Sequence, residues 1–259
     1  MISFVGAGPG AADLITIRGA QRVARADVVI WAGSLVSDGV LEGCRPDVIL
    51  HDSKGMTLEE VCAVFARHPD ASIVRLHSGD PTIYSAIAEQ VAWCRDHGRD
   101  FEVVPGVSAL SASAAAAGCE LTVPGVAQSV VITRLADRTS ASMPPAETIR
   151  AFADTGSTLA LFLSVGQVDR LADELLGAGS AYDTDTPVVV AHRVTWPDER
   201  LVRTTIGSLA ADVHDAGFTA TALIIVGPAV GVAAPPKYSH VYAPDYTTRY
   251  RDASVPDDA

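Results

Sequence analysis

Short β-branched runs alternate with longer amphipathic ones along the first half of the chain. Residues 2–5, 27–31, 48–51, 73–77 and 101–104 read as strands. Between them, apolar positions recur at helical spacing over 14–25, 58–67, 82–96 and 109–117, and Thr57-Leu58-Glu59-Glu60 supplies a capping box. This alternation predicts a largely parallel sheet covered by helices. A second series follows Pro124-Gly125, with strands expected at 129–133, 158–164, 187–191 and 222–226 and helices at 167–177 and 208–214. The expected fold class is α/β, with one α/β domain over 1–124, another over 125–231, and the active site in a cleft between the two lobes. From 232 to 259 the pattern breaks into an irregular tail punctuated by Pro235, Pro236, Pro244 and Pro256. Its Tyr238, Tyr242, Tyr246 and Tyr250 are expected to dock in part on the body.

Three strand ends run into glycine turns. The first is Gly6-Ala7-Gly8-Pro9-Gly10, where glycine permits a sharp turn and a ligand's approach without meeting a Cβ. A dinucleotide fingerprint would space its glycines differently and place an acid at the end of the second strand. That strand ends Trp31-Ala32-Gly33-Ser34, so NAD is disfavoured. The second turn is Ser78-Gly79-Asp80-Pro81-Thr82-Ile83-Tyr84. Asp80 suits a helix N-cap and Pro81 the first helical position, and capping alone accounts for both. The functional alternative is that the turn and Asp80 hold a polar, partly cationic small molecule. The third turn, Pro105-Gly106-Val107-Ser108, leads into a helix of small residues. Three such turns in one lobe make a wall of the kind at which open parallel sheets bind ligands.

Charge narrows the partners. The chain has 31 acidic residues against 19 Lys plus Arg, a formal net charge of −12, which repels nucleic-acid phosphates. Cys44, Cys62, Cys94 and Cys119 are widely spaced and read as buried thiols of a cytoplasmic protein. No basic residue precedes Arg18, so no signal peptide is expected. The most apolar stretch, 220–234, is interrupted by Pro228 and falls short of the ~20 residues of a spanning helix, so no membrane partner is expected. No metal-ligand cluster is visible, and none is expected.

With these turns in order, the chain resembles the tetrapyrrole methylases over residues 2–227, on Gly6-Ala7-Gly8-Pro9-Gly10, Gly79-Asp80-Pro81 and Pro105-Gly106-Val107. It is most similar to the branch that methylates a corrin precursor in cobalamin synthesis. The residues are Ala32-Gly33-Ser34-Leu35-Val36, Glu120-Leu121-Thr122-Val123-Pro124, Thr133-Arg134, Thr195-Trp196-Pro197-Asp198-Glu199 and Val202-Arg203-Thr204-Thr205. The resemblance implies a homodimer and S-adenosyl-L-methionine as methyl donor. By position it assigns to the donor Pro9, Ser78, Gly79, Asp80, Ile83, Tyr84, Ser108, Ala109, Phe162, Leu163, Arg193, Thr221 and Ala222. It implies a polycarboxylate tetrapyrrole as acceptor, for which Arg18, Ser34, Arg134, Arg138 and Trp196 are candidates. Each arginine is otherwise a solvated surface residue.

A sulfonium donor already carries its activating charge, so transfer depends on in-line positioning and no general base is assigned. His77 and His192 read as hydrogen-bonded structural histidines. Trp93 reads as core and Trp196 as an exposed aromatic. Two rivals stand beside the methylase. A nicotinamide or flavin oxidoreductase has only the first glycine turn in its favour, and a two-lobed binding protein needs no chemistry. Whether the macrocycle carries cobalt is open at the level of the residues.

Overall fold

Every residue of the first strand, β1 (Ile2–Gly6), is buried, as a strand packed on both faces requires. The computed structural model describes residues 1–136, 140–233, 239 and 241–254. The chain divides into two units. The first comprises Met1–Ala116 with Arg193–Arg200, and the second Ala117–His192 with Leu201–Ala259. The division therefore falls ahead of residue 124, and the stretch after His192 sits with the first unit.

In the first unit β1 is followed by α1 (Ile17–Val23), β2 (Val28–Trp31), β3 (Ile49–Asp52), α2 (Leu58–Arg67), β4 (Ile73–His77), α3 (Ile87–Asp96), β5 (Phe101–Val104) and α4 (Ala109–Ala116). The sheet has the order β3-β2-β4-β1-β5 with every pairing parallel. One face packs Phe4, Ile30 and Ile73 against Phe65 and Val64 of α2 and Cys94 of α3. The other packs Val5, Val29 and Leu76 with Val23 of α1. The capping box holds as expected, with Glu60 N donating to Thr57 Oγ1 and Thr57 N to the Glu60 carboxylate. Neighbouring β1 and β4 send their connections in opposite directions along the sheet, one towards β2 and the other towards β5. Open parallel sheets bind ligands outside the carboxyl ends of such a pair.

The second unit holds β6 (Val130–Arg134), α5 (Ile149–Ala153), β7 (Thr158–Phe162), α6 (Val168–Leu175), β8 (Pro187–His192), most of β9 (Arg200–Thr205), α7 (Leu209–Ala216) and β10 (Ala222–Val226). Its sheet is mixed, in the order β6-β7-β10-β8-β9, with β6 parallel to β7 and β10 antiparallel to both β7 and β8. Its core joins Leu159, Leu161, Val190 and Ile224 of the sheet to Leu171, Leu175, Leu209 and Val213 of α6 and α7.

Five expectations need correction. The helix expected at 82–96 begins only at Ile87, because Tyr84 and Ala86 are left-handed and cannot continue a right-handed helix. The helix expected at 14–25 begins at Ile17, where the Thr16 hydroxyl accepts from Gly19 N at 3.1 Å. β9 and α5 are absent from the sequence reading: β9 is a charged, partly exposed edge strand, and α5 has five residues. The tail is irregular, but Tyr242 and Tyr250 are exposed rather than docked. Tyr238 lies outside the described residues. Cys62 and Cys94 are buried as expected, whereas Cys44 and Cys119 are only half-buried.

Candidate active site

At the carboxyl ends of β1 and β4 the turns pair through their glycines. Gly79 N donates to Gly8 O at 2.8 Å, Gly8 N to Gly79 O at 3.3 Å, and Ala7 N to His77 O at 2.8 Å. A Cβ on Gly6 would lie 2.5 Å from Gly106 Cα and 2.7 Å from Gly79 O, and one on Gly106 would lie 2.2 Å from Gly79 O. These glycines let three turns touch one another, which corrects the expectation that they open room for a ligand. Gly79 differs: its φ is +66°, and a Cβ there would meet nothing nearer than 3.6 Å.

Asp80 joins the second turn to the third. Its Oδ2 accepts from Gly106 N at 2.8 Å, and its Oδ1 accepts from Thr82 N at 2.8 Å and from the Thr82 hydroxyl. Burial raises the carboxyl pKa. The Thr82 hydroxyl and the Gly106 and Thr82 amides more than offset this, leaving it below the ordinary value. Asp80 therefore caps no helix, and its acceptor positions face the protein's own backbone. Pro81 is buried in the same loop, ahead of Ile83 and the exposed Tyr84. In the third turn the Ser108 hydroxyl accepts from Leu110 N at 3.2 Å and the Ser108 carbonyl from Ala112 N, so Ser108 and Ala109 start α4 in a fixed pose.

The turn after β2 gains an acid from its neighbour. Asp52 lies opposite Trp31, and its carboxylate accepts from Gly33 N and Lys54 N, each at 3.0 Å, lowering its pKa to about 2. Sequence reading found no acid here because it looked only at the end of β2. Ser34 is exposed on this turn, and Arg18 is exposed at the start of α1.

His77 is 5% exposed, and its Nε2 has no partner among the described residues, so it is not the hydrogen-bonded histidine expected on that side of the ring. Burial, reinforced by nearby Arg75, lowers its pKa to about 3 and keeps it neutral. Arg75 was missed from the sequence. Its Nη1 donates to Ser53 Oγ at 2.9 Å and more weakly to Ile30 and Leu76 carbonyls. Its buried Nε is unpartnered, and among the described residues no carboxylate pairs with it. Burial lowers its pKa to about 10. The available signal was a charge inside the otherwise apolar run Ile73-Val74-Arg75-Leu76.

In the second unit the assigned residues gather at one end of the sheet. Arg134 is opposite Phe162, and Ala222 is opposite His192. Leu163 is 72% exposed just beyond β7, and the turn there is fixed by Ser164, whose hydroxyl donates to Phe162 O at 2.7 Å and accepts from Leu135 N at 2.9 Å. Arg134 donates to Ser142 Oγ at 2.9 Å. His192 stacks on Phe218 with ring centroids 4.5 Å apart. Arg138 lies outside the described residues.

Backbone strain falls on the same positions. Among the described residues the non-glycine residues with left-handed φ are Tyr84, Ala86, Leu163, Arg193, Thr195 and Thr221. Each such conformation costs on the order of 1–3 kcal/mol, and such residues cluster at ligand sites. Tyr84, Leu163, Arg193 and Thr221 are among the residues that the resemblance assigns to the donor.

The model of the tetrapyrrole (corrin/porphyrin) methylases matches residues 1–210. The chain belongs to this family. A precorrin-4 C(11)-methyltransferase from Sinorhizobium is 43% identical over 252 residues, covering 96% of this chain and 98% of the relative. A cobalt-precorrin-4 C(11)-methyltransferase from Methanocaldococcus jannaschii is 42% identical over 255 residues, covering 96% and 95%. Among solved structures, a cobalt precorrin-4 methyltransferase superposes with a TM-score of 0.84 at 39% identity, covering 88% of this methylase and 95% of that chain. A uroporphyrin-III C-methyltransferase from Thermus thermophilus complexed with S-adenosylhomocysteine superposes with a TM-score of 0.74 at 30% identity, covering 89% and 98%. Two α/β units with a parallel first sheet and a mixed second one are thus the fold of a tetrapyrrole methylase.

Proposed function

We propose that the chain transfers a methyl group from S-adenosyl-L-methionine to C11 of precorrin-4, giving precorrin-5, in cobalamin biosynthesis. The observation that carries this reading is the concentration of left-handed residues at the positions assigned to the donor. They stand in a chain aligned almost end to end with relatives named as C(11)-methyltransferases of precorrin-4 and of cobalt-precorrin-4. The donor supplies an electrophilic methyl on a sulfonium, so the protein's part is placement and exclusion of water. In the first unit the backbone of Ser78 and Gly79, with Pro9, Ile83, Tyr84, Ser108 and Ala109, would hold it. Asp80 shapes the turn from behind. Phe162, Leu163, Thr221 and Ala222 keep the donor assignment that the resemblance gives them. A homodimer in the cytoplasm belongs to the same proposal. Among the described residues, no helix is long and apolar enough to cross a membrane.

An acceptor rich in carboxylates needs cations, and this acidic chain supplies them locally. Arg134, at the end of β6, is the candidate carried forward. A charge-assisted bond to a carboxylate is worth about 1.5–3 kcal/mol, so Arg134→Ala is expected to raise the acceptor KM roughly tenfold or more. The donor KM should stay nearly unchanged; equal rises in both would remove Arg134 from acceptor binding.

The test of the reaction is incubation with methyl-labelled donor and the macrocycle in metal-free and cobalt-loaded forms. Mass spectrometry should show one added methyl, and NMR should place it at C11. Preferential turnover of the cobalt-loaded form would move the chain to the step named for the Methanocaldococcus relative. Transfer to neither form would overturn the proposal.

A further inference from the structure

The stretch Arg193–Arg200 is flanked on both sides by residues of the second unit yet belongs to the first. There it grips the first glycine turn. Trp196 Nε1 donates to Pro9 O at 3.0 Å, and Ala11 N donates to Thr195 Oγ1 at 2.9 Å. The indole covers Gly10 so closely that a Cβ on that residue would lie 2.4 Å from Trp196 Cδ1 and 2.9 Å from Thr195 Oγ1. Trp196 is therefore half-buried and occupied, not the exposed aromatic that the sequence suggested.

The stretch is braced from within. The Arg193 guanidinium lies 4.3 Å from the centre of the Trp196 ring and pairs with Asp198 at 2.7 Å. The Glu199 carboxylate accepts from Thr195 N at 2.6 Å, while Trp196 N donates to Arg193 O and Glu199 N to Trp196 O. These bonds hold Arg193 and Thr195 in left-handed conformations, with φ of 45° and 67°. Strain of this kind persists only where the surroundings over-determine it.

A turn made of glycines and one proline has few side chains to fix its peptide planes, and a ligand that binds a loose turn must order it. We propose that Trp196 and Thr195 are positioning residues for the methyl donor, acting through Pro9 and Ala11 to hold the first glycine turn in its binding shape. This rests on the reading that the donor lies at that turn. It gives the Thr-Trp-Pro-Asp-Glu segment a task distinct from stacking on the macrocycle.

The experiment uses the full chain and S-adenosylhomocysteine in calorimetric titrations, with melting temperatures and steady-state kinetics alongside. Trp196→Phe keeps an aromatic ring and removes the N–H. Thr195→Val removes the hydroxyl, and Thr195→Ser restores it. Trp196→Phe and Thr195→Val are expected to weaken binding about fivefold to tenfold and to raise the donor KM by the same factor. The acceptor KM and kcat should stay within about twofold of wild type, and Thr195→Ser should recover wild-type binding. Variants that melt earlier but bind as wild type would overturn the proposal, as would Thr195→Ser binding no better than Thr195→Val. If Trp196→Phe fails to fold, the Thr195 pair decides. A wild-type chain that does not bind S-adenosylhomocysteine would remove the donor reading itself, whereas wild-type binding matched by all variants would remove only the positioning role.

Discussion

Asp80→Ala is expected to cut the affinity for S-adenosylhomocysteine by about tenfold to a hundredfold and to cost about 2–4 kcal/mol of stability. The carboxylate carries two charge-assisted bonds to backbone amides, at 2.8 Å to Gly106 N and 2.8 Å to Thr82 N. Alanine would leave the partly buried Gly106 amide without an acceptor. Gly6 and Gly106 are packed too tightly against each other and the Gly79 carbonyl for the third turn to slide into the gap. The second and third turns should then lose their fixed relation, and with it the shape presented to the donor. Asp80→Asn keeps the size and one acceptor, so it should lie between wild type and alanine. Calorimetry at pH 7.5 with parallel urea denaturation separates the effects. A variant that is less stable but binds normally would reduce Asp80 to a structural brace. Because the folded-state pKa is depressed, this stabilisation is full above the ordinary carboxylate range. It is lost as pH falls through the lower folded value.

His77 should make the fold sensitive to mild acid. Its pKa is lowered to about 3 in the folded chain, by burial first and by Arg75 second, against about 6.5 when unfolded. Between those values the unfolded chain binds the extra proton, so stability falls as pH drops below about 6.5. From pH 8 to pH 5 the expected loss from this residue is about 2 kcal/mol. His51, also lowered, by burial first and then by Arg67 and His68, adds in the same direction. The check is urea denaturation of wild type and His77→Gln at both pH values. The variant should show a loss smaller by about 2 kcal/mol. An unchanged pH dependence in His77→Gln would mean that the folded imidazole takes up its proton freely.

The inner strands β1, β2 and β4 of the first unit were legible because burial on both faces demands nearly continuous apolar runs, and β4 and β5 have the expected limits. α2 was equally clear, because its capping box and apolar stripe agree. What was not legible depends on long-range partners. Asp80 next to Pro81 looks like a helix start, and only the Gly106 amide, distant in sequence, shows that the loop instead folds back. Trp196 looks like a surface aromatic until Pro9 and Gly10 stand beside it. Arg75 was passed over because strand patterning treats a lone charge as noise. β9 hid its period because it is an edge strand with charged positions.

The most direct measurement is a crystal structure of the chain with S-adenosylhomocysteine. The expected density lies against the backbone of Ser78 and Gly79, with Pro9, Ser108 and Ala109 in contact and the Asp80–Gly106 hydrogen bond intact. A nucleoside bound elsewhere, or those turns found collapsed on one another with no ligand at saturating concentration, would contradict it.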